Sequence, residues 1–140
     1  MRKKKSCLLS VIVFLTFTSI AWACSCYFSP SPADAYKRHD VIFIGEVVKV
    51  NLRVHTHDKP SILIIKVIRD FKGDLSEGEE VELFDPICPY IFFKEGEKYL
   101  VYTGKNGNGL LRWPTECSST QGYSEDNYSA DIQFLENIKQ

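Results

Sequence analysis

The stretch Ala21-Trp22-Ala23-Cys24-Ser25-Cys26 constrains the fold of this chain most, because it divides the 140 residues into two parts. Four basic residues at positions 2–5 precede an apolar run, and small residues at 21 and 23 form an Ala-x-Ala cleavage site. The apolar run is too short for a spanning helix, and no stop-transfer segment follows it. We therefore predict a signal peptide over residues 1–23 and an exported single domain over residues 24–140.

Cleavage changes the charge of the chain. The precursor has 17 basic and 18 acidic residues; the signal peptide takes four bases and no acids, so 13 bases face 18 acids and the formal net charge becomes −5. No basic run survives, which disfavours a nucleic-acid partner. The mature length suffices for one small domain with a modest core, and exported domains of this size often gain stability from disulfides.

The cysteine count supports the same division. Of five cysteines, Cys7 leaves with the signal peptide, and Cys24, Cys26, Cys88 and Cys117 remain. Four cysteines allow three pairings, and the sequence alone does not choose among them. A bond between Cys24 and Cys26 would close a small strained ring, so the two long-range arrangements are preferred.

The mature chain has a helical pattern near each end and strand patterns between. Pro32 suits the first position of a two-turn helix, and Ile132, Leu135 and Ile138 share one face of a helix over 129–139. Gly45 is expected to mark a bulge or bend in the first strand. A mainly β chain of this kind fits a five-stranded Greek-key barrel of the OB type. The predicted strands are 41–50, 62–71, 79–84, 98–103 and a fifth beginning at 110–113.

No short motif of common enzyme chemistry is present. The sequence lacks a His-Glu-x-x-His motif, a Gly-x-Ser-x-Gly elbow, a phosphate-binding glycine loop and a Cys-x-x-Cys pair. His55 and His57 would point to one side of an extended segment, but two ligands make an incomplete zinc site, so we interpret them as exposed loop residues. We expect a protein that is not an enzyme and has no cofactor of its own.

Aromatic residues are concentrated between positions 90 and 102. Such a cluster can stack nucleotides on an OB barrel when basic residues are interleaved with it. The flanking residues here are as often acidic, so core filling is the better interpretation. The residues are Tyr90, Phe92, Phe93, Tyr99 and Tyr102.

The new N-terminus has chemistry of its own. A free α-amine on Cys24 is readily available as a neutral donor near physiological pH, and the adjacent carbonyl oxygen can complete a five-membered chelate. Catalytic zinc keeps an open coordination position and takes N and O ligands. Disulfides that hold the terminus rigid would lower the cost of ordering it in a cleft.

Several motifs in order give a family resemblance. They are Cys24-x-Cys26, Pro32-x-x-Ala35-Tyr36 running into Asp40-Val41-Ile42, Phe71-Lys72-Gly73, Cys88, Gly96-Glu97-Lys98-Tyr99-Leu100-Val101-x-x-Gly104-Lys105, and Cys117. Together they resemble the N-terminal inhibitory domain of the tissue inhibitors of metalloproteinases (TIMPs), a netrin-like module with an OB fold. The resemblance covers Cys24 to about Cys117, and a minimal single-domain form of the kind found in bacteria is the nearest description.

The resemblance implies a pairing and a site. It implies disulfides Cys24–Cys88 and Cys26–Cys117, each worth about 4 kcal/mol in the loop-entropy model. It implies that the Cys24 amine and carbonyl chelate the catalytic zinc of a metalloendopeptidase, and that the Ser25 side chain enters the neighbouring specificity pocket. The implied protease-binding residues are Cys24, Ser25, Cys26, Tyr27, Ile87, Cys88 and Pro89.

The chain also departs from the animal inhibitors. They have a third cysteine pair, one member of which would fall near Lys37, and a second cysteine-rich domain; neither is found here. Tyr27-Phe28 is bulkier than the segment expected after the second cysteine, which bears on target selectivity.

The expectation is therefore a secreted monomer, extracellular or periplasmic, that inhibits a zinc metalloendopeptidase and needs only the zinc of its target. Two alternatives remain open. One is a netrin-like binding module without inhibitory activity. The other is a lipoprotein whose Cys24 is lipid-modified, although Ala21 stands where such a signal usually has a larger aliphatic residue.

Overall fold

A computed structural model describes residues 30–51, 62–84, 93–115, 118–125 and 129–139. These residues form a mainly β structure, a six-stranded sheet with two helices. The helices are α1 (Pro32–Arg38) and α2 (Ala130–Lys139). The strands are β1 (Val41–Asn51), β2 (Ile62–Lys72), β3 (Glu80–Phe84), β4 (Lys98–Thr103), β5 (Leu111–Arg112) and β6 (Gln121–Gly122). No helix of the described ranges is long and apolar enough to cross a membrane.

The strand order is β5-β3-β2-β1-β4-β6. Every neighbouring pair is antiparallel except β3 and β5, which are parallel. The register between β1 and β2 shifts between Ile44 and Gly45, as the bulge predicted at Gly45 requires. A Cβ at this position would lie 2.3 Å from Ile65 Cγ2 and 2.9 Å from the carbonyl oxygen of Lys66, so only glycine fits without movement.

Strand β1 contributes to two hydrophobic clusters, one on each face of the sheet. Val41 and Phe43 belong to the first, which we call the sheet cluster. Ile42 and Ile44 belong to the second, the helix cluster, together with Ala35, Leu100, Tyr102, Ile132 and Leu135. Because alternate side chains of a strand point to opposite faces, the unbroken apolar run at the start of β1 fills both. The expectation of a strand covered on two sides is confirmed.

Helix α1 begins and ends as its sequence predicts. Ser31 caps the N-terminus by accepting a hydrogen bond from the Asp34 backbone N–H at 3.2 Å, and Pro32 occupies the first turn. Lys72 of β2 donates to the carbonyl oxygens of Tyr36 and His39 at 2.8 and 2.6 Å. The lysine thus satisfies carbonyls that the helix end leaves unpaired and holds α1 on the sheet.

Helix α2 covers the same face and corrects one expectation. Ile132 and Leu135 are buried as predicted, but Ile138 is 47% exposed, so the predicted apolar face is one residue too long. Arg69 of β2 forms an ion pair with Glu136 at 2.7 Å instead. The last turn of α2 is therefore held by polar contacts at its flank, since it extends past the apolar surface of the sheet.

The described chain has six strands rather than the five expected. The extra strand, β6, lies in a polar segment without periodicity and pairs with Tyr99 and Leu100 of β4. The Thr120 hydroxyl extends this edge by accepting from the Tyr102 backbone N–H at 2.9 Å and donating to its carbonyl oxygen at 3.2 Å. Backbone pairing and a threonine hydroxyl need no apolar alternation, so the sequence pattern could not reveal this strand.

Candidate functional site

The residues predicted to contact a protease lie outside the described residues, and so do the fourth cysteine and the two loop histidines. The structure does place the residues that flank them. Pro30 begins the described chain after the N-terminal segment, Phe84 and Phe93 flank the segment with Cys88, and Thr115 and Ser118 flank the segment with Cys117. The residues outside the description are Cys24, Ser25, Cys26, Tyr27, His55, His57, Ile87, Cys88, Pro89 and Cys117.

Strand β5 lies between the end of β3 and the residues that follow β4. The Trp113 backbone N–H donates to the Phe84 carbonyl oxygen at 2.8 Å, and the Arg112 N–H donates to the Gly104 carbonyl oxygen at 2.9 Å. Lys105 and Leu111 form an isolated antiparallel bridge. We call this arrangement, made of Phe84, Thr103–Lys105 and Leu111–Trp113, the β5 seam. It joins the described chain just before Cys88 to the described chain just before Cys117.

The start of β1 reaches the same seam. Asp40, which separates α1 from β1, accepts a hydrogen bond from the Lys105 backbone N–H through Oδ2 at 3.3 Å. The side chain of Thr103, only 2% exposed, donates to the carbonyl oxygen of Arg112. Buried polar groups must find partners, and here the partners lie on opposite sides of the seam. The chain that leads from the N-terminal segment through α1 is thus tied to β5.

Three aromatic rings lie in the sheet cluster beside the seam. The Phe93 ring meets the Tyr99 ring edge-on at 4.8 Å between centroids and the Trp113 ring at 5.9 Å. All three residues are buried, as is Tyr102 in the helix cluster, so the interpretation as core filling is confirmed for Phe93, Tyr99 and Tyr102. Tyr90 and Phe92 lie outside the described residues.

Trp113 is a residue that the sequence analysis overlooked. Its side chain is 3% exposed, and no described residue accepts a hydrogen bond from its indole Nε1. A buried donor without a partner is uncommon in folded proteins. The signal in the sequence was only its position, within residues 110–113 that begin the fifth predicted strand and four residues before Cys117.

Burial favours the neutral forms of two titratable groups, His39 after α1 and Tyr102 of β4. Burial lowers the pKa of His39, and the nearby Lys72 lowers it further against the opposing hydrogen bond to the Ala35 carbonyl. Burial also raises the pKa of Tyr102, whose hydroxyl donates to Asp131 at 2.9 Å, and the neighbouring carboxylate adds to that shift. The His39 and Tyr102 rings pack edge-on at 5.5 Å between centroids, which supports the end of α1 on β4, and the bond to Asp131 supports α2.

The described part of the site offers no metal centre. Within the ranges given above, no three His, Cys, Asp or Glu side chains come together in a way that could hold an ion. The seam is instead a scaffold of backbone hydrogen bonds and packed rings. Its role among the described residues is to hold the end of β3, the residues after β4 and the start of β1 together.

Comparisons with protein-family models and with curated proteins gave no match. The resemblance to the metalloproteinase inhibitors is therefore an expectation from the sequence motifs alone.

Proposed function

We propose that the mature protein is a secreted inhibitor of zinc metalloendopeptidases, in which the free amine and carbonyl oxygen of Cys24 chelate the catalytic zinc of the target. The observation that carries the proposal is the β5 seam. It brings together the described residues that precede Cys88, the described residues that precede Cys117, and Asp40, which lies between α1 and β1.

The proposal includes an OB-type barrel. Two observations support closure of the sheet through β5: the parallel pairing of β5 with β3, and the bridge between Leu111 and Lys105 beyond the end of β4. Strand β5 thus connects β3 with the residues that follow β4. A sheet connected in this way curls on itself and encloses one core, which in this proposal is the sheet cluster. In this arrangement β6 is an addition at the outer edge of β4.

The seam also supports the proposed disulfides, Cys24–Cys88 and Cys26–Cys117. Cys88 follows Phe84 by four residues, and Cys117 follows Trp113 by four residues. Four residues span at most about 14 Å when fully extended. Because Trp113 N and Phe84 O are 2.8 Å apart, a terminus bonded to both cysteines would be held near the seam. Two closed loops would keep it there at a low entropic cost on binding.

The chemistry of inhibition follows from that geometry. The amine nitrogen and carbonyl oxygen of Cys24 would fill the open position of the target's zinc, where water or substrate otherwise binds. Ser25 would enter the adjacent pocket, and Ile87 and Pro89 would lie beside the terminus. The sulfur of Cys24 has a structural task, and the backbone of the same residue is the functional group.

A matched pair of proteins tests the proposal. The mature protein with Cys24 first and the same protein with one alanine added before it are assayed against a panel of purified zinc endopeptidases. The addition turns the amine into an amide, a poor zinc donor, and we expect inhibition to weaken by about 100-fold, which is about 2.8 kcal/mol. Equal urea unfolding of both proteins would show that the fold is unchanged.

Equal inhibition by the two proteins would refute the proposal that the terminal amine of Cys24 chelates the zinc. Inhibition by neither would favour a netrin-like binding module. Mass spectrometry of the protein from its own cell adds an independent check, since a diacylglycerol group on Cys24 would block the amine.

A further inference from the structure

Two turns of the described chain share one backbone pattern. They are residues 76–79, before β3, and residues 94–97, before β4. In each, the glycine N–H donates to a valine carbonyl, the valine N–H donates to the last carbonyl of the turn, and the last N–H donates to the first carbonyl, all at 2.8–3.1 Å. The valines are Val67 of β2 and Val47 of β1. Both glycines have positive φ, 83° at Gly78 and 81° at Gly96.

The side chains of the first turn bond within the turn. The Glu79 carboxylate accepts a hydrogen bond from the Ser76 backbone N–H at 3.0 Å. Glu77, at the second position, has an exposed side chain that makes no hydrogen bond or ion pair with the described residues. This turn therefore contacts its neighbours through its backbone.

In the second turn Lys94 and Glu97 form an ion pair at 3.5 Å, and Glu95 and Glu97 also bond to residues outside the turn. Glu95, the counterpart of Glu77, accepts a hydrogen bond from the Val50 backbone N–H through Oε1 at 2.9 Å. The Tyr99 hydroxyl accepts from the Lys94 N–H at 3.2 Å and donates to Glu97 Oε2 at 3.1 Å. A hydrogen bond to a charged carboxylate is stronger than a neutral one, so these bonds hold the turn on β1 and β4.

The difference matters because of where the second turn lies. It directly follows Phe93, the first described residue after the segment that contains Ile87, Cys88 and Pro89. Its partner Val50 lies at the end of β1, and the Phe93 ring is fixed against Tyr99 and Trp113. The hydrogen bonds of the 94–97 turn thus help to fix Phe93, where the described chain resumes after the Cys88 segment.

We propose that Glu95 and Tyr99 are positioning residues of the inhibitory surface, and this inference rests on the proposed function. They act through the 94–97 turn and do not touch the protease. Fixing one end of a binding segment before it meets its partner lowers the entropic cost of association. Loss of these hydrogen bonds therefore reduces the affinity for the protease more than it reduces the stability of the fold.

The test uses the full disulfide-bonded mature protein and three variants. Glu95→Ala removes the acceptor, Glu95→Gln keeps an amide oxygen in its place, and Glu77→Ala is the matched control in the equivalent turn. Three quantities are measured: inhibition of one zinc endopeptidase from the panel, the urea midpoint, and hydrogen exchange at Val50 and over residues 85–97.

We expect Glu95→Ala to inhibit about three- to tenfold more weakly, the range of one lost hydrogen bond, and to exchange faster at Val50 and over 85–97. Glu95→Gln should recover most of the inhibition, and Glu77→Ala should match the wild type in all three measurements. Tyr99→Phe should weaken inhibition in the same direction as Glu95→Ala.

Unchanged inhibition by Glu95→Ala would overturn the inference, as would a loss that Glu77→Ala reproduces along with an equal drop in midpoint. A wild type that inhibits no enzyme of the panel would be a failure of the proposed function. In that case the hydrogen-exchange data still test whether Glu95 holds the 94–97 turn on β1. Faster exchange in Glu95→Ala supports that role, and equal exchange in all variants overturns it.

Discussion

The bulge at Gly45 gives the sharpest test of how tightly this sheet is packed. A Cβ added there would lie 2.3 Å from Ile65 Cγ2, 2.9 Å from the backbone oxygen of Lys66 and 3.0 Å from Phe43 Cε2. Carbon atoms in contact prefer about 3.5–4.0 Å, so the first contact is more than 1 Å too short. Phe43 and Ile65 are fully buried in the sheet cluster, so any shift of either side chain displaces its packed neighbours.

The size of the effect follows from those contacts. Overpacking a filled core by one methyl group usually costs about 1–3 kcal/mol. Because one of the close atoms is a backbone oxygen in the β1–β2 ladder, we expect Gly45→Ala to lie at the upper end, near 3 kcal/mol. Gly107→Ala is the matched control, since its Cβ would meet nothing within 4 Å and should change stability by less than about 0.5 kcal/mol.

Urea unfolding of the oxidised mature protein measures both variants. A loss of about 3 kcal/mol would lower the midpoint by about 2 M if the slope is near 1.5 kcal/mol/M. Ile65→Ala removes the methyl group that the new Cβ would strike, so in the Gly45→Ala background it should cost at least about 1 kcal/mol less than it does alone. Strict additivity of the two substitutions, or equal midpoints for Gly45→Ala and Gly107→Ala, would refute the packing argument.

Two further predictions concern neutral groups in the helix cluster. Tyr102→Phe removes the donor to Asp131 and should cost about 1–2 kcal/mol in urea unfolding. Because burial raises the pKa of Tyr102, the folded state keeps a proton that the unfolded state loses above about pH 10, so wild-type stability should fall there and the variant should fall less. The lowered pKa of His39 acts at acidic pH. Its contribution to the free energy of unfolding is fully present above the ordinary histidine pKa of 6.5 and declines as the pH drops below that value. His39→Asn should flatten that decline between pH 7 and pH 5, and an identical acid limb in both proteins would contradict the assignment.

Much of the strand structure was predictable because periodicity and sterics act locally. The predicted 98–103 strand matches β4, and the predicted 62–71 and 79–84 strands differ from β2 and β3 by one residue at one end. The first strand, predicted over 41–50, ends one residue later in β1. It was recognisable because the start of its apolar run has no polar face, which fits a strand covered on two sides. Gly45 was identifiable as a bulge because glycine is otherwise a poor strand residue.

What the sequence could not predict depends on contacts between distant segments. β6 is two residues long, and its partner is β4, about 20 residues earlier in the chain. The tie between Glu95 and Val50 joins residues 45 positions apart, and nothing in the local pattern distinguishes Glu95 from Glu77. Ile138 is 47% exposed although it shares the helical face of Ile132 and Leu135, and the periodicity of α2 alone does not determine how much of that face the rest of the chain covers.

The hydroxyl of Thr120 has a consequence for the behaviour of the protein in concentrated solution. An open strand edge presents a row of free amides and carbonyls, and such edges recruit strands from other molecules. On β4, β6 pairs with Tyr99 and Leu100, and one threonine side chain takes both backbone groups of Tyr102. A short strand and a single hydroxyl therefore occupy backbone groups of β4 that a strand from another molecule would otherwise pair with.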